Sequence, residues 1–168
     1  KKNFVKVTNN KISTIILVGG KGSRFSEPNK PPKHLKKLNK NLILENIINH
    51  LYKSGFRHFI FPLGFKKNFF INFFESNSNQ KKYNFEVLKG KSSPKNVDND
   101  KKYISYFDAG KSTNKITRVI KSINYTKNKD LLVIYGDDLA NVKLHKINEM
   151  YNKNKRKKVI VTVYKKRS

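Results

Sequence analysis

Ile15-Ile16-Leu17-Val18-Gly19-Gly20-Lys21-Gly22-Ser23-Arg24 is the stretch that decides how this chain is read. A short apolar run ends at once in three glycines, a hydroxyl and an arginine. The apolar run predicts a central parallel strand, and ligands of such sheets bind beyond the carboxyl ends of the strands. Glycines let backbone N–H groups come close to an anion, and Arg24 adds a fork of donors matched to phosphate oxygens. Taken alone, Gly19 to Gly22 would serve equally well as an ordinary strand-to-helix turn.

Two better-known glycine motifs do not fit. In a dinucleotide fingerprint the third glycine allows close helix packing, and here Phe25 stands in its place. Gly110-Lys111-Ser112 matches the end of a P-loop, but Ser105 replaces the first glycine and Asp108 would repel a phosphate inside the loop.

Outward from the glycines, the chain alternates. Ser13 to Val18 reads as the first strand. Ile43, Ile47, Ile48 and Leu51 recur at helical spacing and predict a helix over 42–54, stopped by Gly55. A second strand follows at 58–63, and Phe69, Phe70, Phe73 and Phe74 place a core-facing aromatic stripe on a helix at 66–75. Residues 76–82 read as a polar loop. Short strands are expected at 83–88 and 103–107, around a Ser/Pro/Asn/Asp-rich loop. Ile116, Val119, Ile120 and Ile123 mark a third helix, 131–135 a strand, Leu144, Ile147 and Tyr151 a fourth helix, and 159–164 a last strand. Such alternation predicts an α/β fold with a mostly parallel sheet. Residues 1–11 read as a loose arm on a single domain of 168 residues.

Asp137 and Asp138 follow the strand at 131–135, on the same rim as the glycine turn. A carboxylate there can hold Mg²⁺, which takes few protein ligands and several phosphate oxygens; equally, it can cap the helix that follows. His34, His50, His58 and His145 form no metal-ligand pattern and read as surface or packing residues.

The net charge is +27, from 38 basic and 11 acidic residues. Three readings stay open: a codon bias that enriches Lys and Asn with Ile, Phe and Tyr, steering of anionic substrates, and nucleic-acid binding as the least favoured. The chain has no cysteine, which excludes disulfides and thiolate metal sites. The first residues carry no signal peptide, no stretch is apolar enough for a membrane span, and a cytoplasmic protein is expected.

Leu17-Val18-Gly19-Gly20-Lys21-Gly22-Ser23-Arg24 followed by Pro32-Lys33-His34-Leu35 resembles the opening signature of the sugar-1-phosphate nucleotidyltransferases. Ser54-Gly55-Phe56-Arg57-His58-Phe59-Ile60 and Leu63-Gly64-Phe65-Lys66 look like that family's second strand and its turn. Asp108-Ala109-Gly110 and Tyr135-Gly136-Asp137-Asp138 resemble the Asp-Thr-Gly and Tyr-Gly-Asp-Gly of the glucose-1-phosphate cytidylyltransferases. The resemblance implies a Rossmann-like three-layer sandwich of the nucleotide-diphospho-sugar transferase type. It implies transfer of a nucleotidyl group from a nucleoside triphosphate, expected to be CTP, to a sugar-1-phosphate, expected to be glucose-1-phosphate, with Mg²⁺ and release of pyrophosphate.

In that family's terms Arg24, Lys33 and Asp137 would be catalytic, and Asp137 would carry the metal. Nucleotide contacts would come from Leu17, Gly19, Gly20, Gly22 and Ser23, and from Gly110, Ser112 and Thr113. Two segments depart from the pattern. Pro31-Pro32-Lys33-His34-Leu35 keeps only the second lysine of Lys-Pro-Lys-Pro-Met, and Ser112-Thr113-Asn114-Lys115 stands where the family has Thr-Gly-Gly-Arg. The family's sugar-binding half is expected to be missing from these residues, so nucleotide binding with little turnover is the alternative. A homo-oligomer is left open.

Overall fold

In this computed structural model the described residues are 11–18, 29–90, 93–137 and 143–153. The glycine turn with Gly19, Gly20, Gly22, Ser23 and Arg24, the expected strand at 159–164, Asp138 and most of the amino-terminal arm lie outside them. The sheet contains β1 (Ile12–Leu17), β4 (His58–Leu63), β5 (Phe85–Leu88), β6 (Lys102–Asp108) and β7 (Asp130–Tyr135). Their spatial order is β5-β6-β4-β1-β7, and every described pairing is parallel. A two-residue ribbon, β2 (Lys37–Leu38) and β3 (Asn41–Leu42), stands apart from it.

Helices α1 (Ile43–Lys53), α2 (Lys67–Glu75), α3 (Asn77–Tyr83) and α5 (Leu144–Lys153) contribute side chains to one apolar cluster on a single face of the sheet. Ile16, Phe59, Phe61 and Ile104 face them, and Phe61 and Phe74 meet at 4.7 Å between ring centroids. Helix α4 (Lys115–Ser122) packs on the opposite face, against β4 and β1. These are the three layers expected from the sequence.

The local reasons are legible. Glu45 accepts from the Leu42 N–H at the start of α1. At its end Gly55 adopts φ 96°, and the N–H groups of Gly55 and Phe56 return to Tyr52 and Leu51. This is a Schellman stop that a side chain would oppose. Residues 77–83 are a helix, where the polar composition predicts a loop. The Ser76 hydroxyl accepts from the Asn79 N–H, and Gln80 and Asn79 donate to the last carbonyls of α2. The polar side chains thus cap and splice two helices instead of breaking them.

β5 and β6 run parallel although no helix lies between them among the described residues. Their connection is tied to the amino-terminal rim, where Arg57 Nε donates to Asn99 O at 2.8 Å and Tyr103 OH to Asn96 O at 3.2 Å.

The amino-terminal rim also holds a polar cluster inside the sheet. His58 Nδ1 and Nε2 lie 2.9 and 2.8 Å from the hydroxyls of Ser13 and Ser105, on the two flanking strands. Burial pushes the imidazole down to about 4, from an ordinary value of 6.5. The fold therefore favours neutral His58. Its contribution to stability is full above pH 6.5, is lost as the pH falls toward 4, and changes no further below that. The drop is worth about 3 kcal/mol. His58→Gln is expected to remove that part of the pH dependence between pH 7 and 4, read as the difference between the two proteins' urea-unfolding free energies across that range.

Candidate active site

β1 leads to β4 on one side, and the chain later returns as β7 on the other. The order reverses between β1 and β7, and the crevice at such a reversal is where open α/β sheets bind ligands. Leu17 pairs with Tyr135 at the carboxyl ends, and the Gly136 N–H donates to Leu17 O at 3.0 Å. The chain therefore enters the glycine turn beside the corner that carries Asp137. A Cβ on Gly136 would lie 2.5 Å from Val18 Cγ1, 3.0 Å from His34 Cδ2 and 3.2 Å from Ile16 Cγ2. Position 136 has no room for a side chain.

Lys33 reaches this corner from a single 3₁₀ turn, Lys33–Leu35, and its Nζ stands 3.5 Å from Asp137 Oδ2. Both side chains are about half exposed, so water screens the pair and it adds well under about 1 kcal/mol to the fold. A pair so loosely held can part to receive a phosphate on the lysine and a cation on the carboxylate. Among the described residues no three His, Cys, Asp or Glu side chains gather as a metal cage. One exposed carboxylate fits a magnesium ion that arrives on a triphosphate, because such an ion draws most of its ligands from phosphate and water.

His34 is a packing residue, as the sequence suggests, but it sits within the site. Its ring lies 5.7 Å from that of Phe70, and its Nδ1 is buried without a partner among the described residues. Burial holds its pKa down, against the pull of Asp137 and together with the push of Lys33. The imidazole is a neutral wedge beneath Gly136.

The second predicted segment lies at the end of β6. Gly110 has φ 99°, and its N–H donates to Asp108 Oδ1. The Thr113 hydroxyl donates to Ala109 O at 2.5 Å, so it shapes the turn, while Ser112 is exposed. Lys67 meets Asp108 at 2.6 Å and, with the Gly110 N–H, holds that carboxyl below its usual range. β6 is separated from β1 by β4, so this segment flanks the crevice rather than lining the β1–β7 corner.

Two residues were not among the predicted site residues, although Lys115 closes the segment that stands for Thr-Gly-Gly-Arg. Lys115, at the start of α4, reaches the same rim: its Nζ is 3.4 Å from Tyr135 OH and 4.7 Å from the ring centroid. Arg118 is buried and donates to Pro62 O, Gly110 O and Thr113 O, tying the ends of β4 and β6 together. Gly64 is the counterpart of Arg118, since a Cβ there would meet the guanidinium at 2.3 Å. An arginine followed at once by apolar residues inside a predicted amphipathic helix was the available signal.

Sheet order, layers and rim define an α/β fold of the nucleotide-diphospho-sugar transferase type. The chain aligns with UDP-glucose pyrophosphorylase complexed with UDP-glucose at a TM-score of 0.64 and 16% identity, over 86% of this chain and 55% of that one. It aligns with HddC from Yersinia pseudotuberculosis, complexed with GMP-PN, at 0.57 and 19%, over 83% and 53%. In sequence it is 29% identical over 140 residues to the probable glucose-1-phosphate cytidylyltransferase of Bacillus subtilis (strain 168), covering 79% of this chain and 53% of the relative. The chain thus spans about half the length of the relatives it matches. No family model matches it. Among the described residues no helix is long and apolar enough to cross a membrane.

Two substitutions test this architecture. Gly136→Ala forces Val18 or the Asp137 corner aside and is expected to destabilise by about 1–3 kcal/mol, seen as a lower urea midpoint with an unchanged slope. Arg118→Met leaves three carbonyls without their donor and is expected to cost about 2–4 kcal/mol, with faster hydrogen exchange confined first to 110–114.

Proposed function

We propose that this chain binds a magnesium-laden nucleoside triphosphate at the β1–β7 rim and serves nucleotidyl transfer to a sugar-1-phosphate. CTP and glucose-1-phosphate are the first pair to test. The observation that carries the reading is the meeting of Lys33 and Asp137 beside the entry to the glycine turn. The relatives' names supply the reaction class.

The reaction asks the protein mainly for position and neutralised charge. An oxygen of the sugar phosphate, already ionised, attacks the α-phosphorus in line; the bond to the bridging oxygen breaks, and pyrophosphate leaves with that electron pair. No general base is required. In this reading the glycine turn presents N–H groups to the phosphates, and Arg24 and Lys33 hold phosphate oxygens. Asp137 holds magnesium, which when bound neutralises charge on the triphosphate. Lys115 borders the same rim. For these residues taken alone, a second reading is triphosphate binding without turnover.

Pyrophosphate release from CTP and glucose-1-phosphate tests the first reading, and titration calorimetry with CTP and Mg²⁺ tests both. Lys33→Ala and Asp137→Ala are each expected to lower turnover about 10²-fold and to weaken triphosphate binding, with the fold intact by circular dichroism. Binding without pyrophosphate release selects the second reading. Equal affinity of wild type and both variants for CTP rejects the site.

A further inference from the structure

The resemblance assigns nucleotide contacts to Gly110, Ser112 and Thr113, in the turn after β6. Most hydrogen-bonding groups of that turn are held by partners inside the protein. The Ala109 N–H donates to Leu63 O, the Gly110 N–H to Asp108 Oδ1 and the Thr113 N–H to Gly110 O. Asp108 Oδ2 is held by Lys67 at 2.6 Å. The Thr113 hydroxyl donates to Ala109 O, and Lys121 Nζ donates to the same oxygen. Arg118 donates to Gly110 O and Thr113 O, at 2.8 and 3.0 Å. The Asn114 side chain accepts from the Thr117 N–H, and its carbonyl from the Arg118 N–H.

Lys111 and Ser112 complete the turn, and both are exposed. Neither residue type tells one base from another. An ammonium only donates, and each of the four bases presents an acceptor to it; a hydroxyl donates or accepts as its partner requires. Discrimination between bases arises from a penalty. A site with an open donor or acceptor rejects the wrong base by leaving that group unpaired, which is worth up to about 10⁴–10⁵-fold. A group with an internal partner loses nothing when the wrong base arrives, and gains little by exchanging that partner for the right one. The turn is also held shut. Arg118 ties Gly110 and Thr113 to Pro62 at the end of β4, and Gly64 lies so close that a Cβ there would meet the guanidinium at 2.3 Å.

We propose that the site takes nucleoside triphosphates without choosing among their bases, because the turn that would read a base has its polar groups paired internally. The inference rests on the function proposed above and sets its substrate class: the phosphates and their cation are recognised, through Lys33 and Asp137, and CTP is one substrate among four.

Titration calorimetry of the 168-residue chain with CTP, UTP, GTP and ATP, each with Mg²⁺, tests the proposal. The four dissociation constants are expected to agree within about 10-fold. Asp137→Ala is expected to weaken all four by a common factor. Thr113→Val removes the turn's hydroxyl and is expected to leave the ratios among the four unchanged. A preference for one base of more than about 10-fold overturns the inference and leaves the proposed function standing. So does a loss under Thr113→Val that is confined to one base. Equal binding of all four by wild type and Asp137→Ala overturns both, because the chain's charge alone would then hold them. Binding of none of the four also overturns both.

Discussion

The in-register parallel pairing of β1 with β7 is the constraint on which the rest depends. It runs from Ile12–Asp130 to Leu17–Tyr135 and is closed by the Gly136 N–H on Leu17 O. Because the strands end level, Val18 leaves β1 beside the corner that carries Gly136 and Asp137. Gly136 is what allows so close an approach, since Val18, Ile16 and His34 already fill the space a Cβ would need. A slip of one residue would put Ile134 where Tyr135 stands and turn Asp137 away from Lys33. Register, a backbone property, thereby fixes the chemistry of the rim.

Much of this was legible from residue pattern because the elements are locally consistent. A short apolar run for β1, aromatic and aliphatic stripes at helical spacing, and a glycine just past α1 each specify one conformation. Legibility failed where side chains do work that composition does not reveal. Residues 77–83 look like a loop until Ser76 caps them and Asn79 and Gln80 bond back to α2. The isoleucines of α4 look like a core stripe, but Arg118 has the inward position, because only a long cation can satisfy carbonyls from two separate strand ends. In the candidate site Lys33 and Asp137 could be named as site residues from sequence motifs, whereas Lys115 stood out only as the residue in place of the family's arginine. Its part depends on where a distant helix begins relative to Tyr135.

The two faces of the sheet play different roles. The face under α1, α2, α3 and α5 is a dense aromatic and aliphatic core, so the positions of β4 and β1 are overdetermined there. The opposite face mixes Ile15 and Ile60 with Ser13, His58 and Ser105 and, among the described residues, carries one short helix, α4. The Arg118 clamp holds α4 to that face where apolar packing alone would not. The helix thereby keeps Ile116 and Ile120 exposed.

The charge imbalance explains how buried cations are treated. With 38 basic and 11 acidic residues, carboxylates are too few to serve the interior. Arg57 and Arg118 are held by backbone carbonyls, and Lys102 donates to Tyr83 O at 2.7 Å. Arg57 and Lys102 both stand over the Tyr52 ring, at 4.1 and 4.6 Å. Burial, helped by Arg57, lowers the pKa of Lys102, as expected for a cation held by dipoles and a ring face instead of a counter-charge. Such cages satisfy hydrogen bonds without cancelling net charge, so the positive field persists outside the fold. At the carboxyl rim Lys33, Lys67 and Lys115 add to it locally. A field of this sign concentrates polyphosphates; in the function proposed above, Asp137 would receive the cation they bring, while Lys33 would turn from the carboxylate to a phosphate.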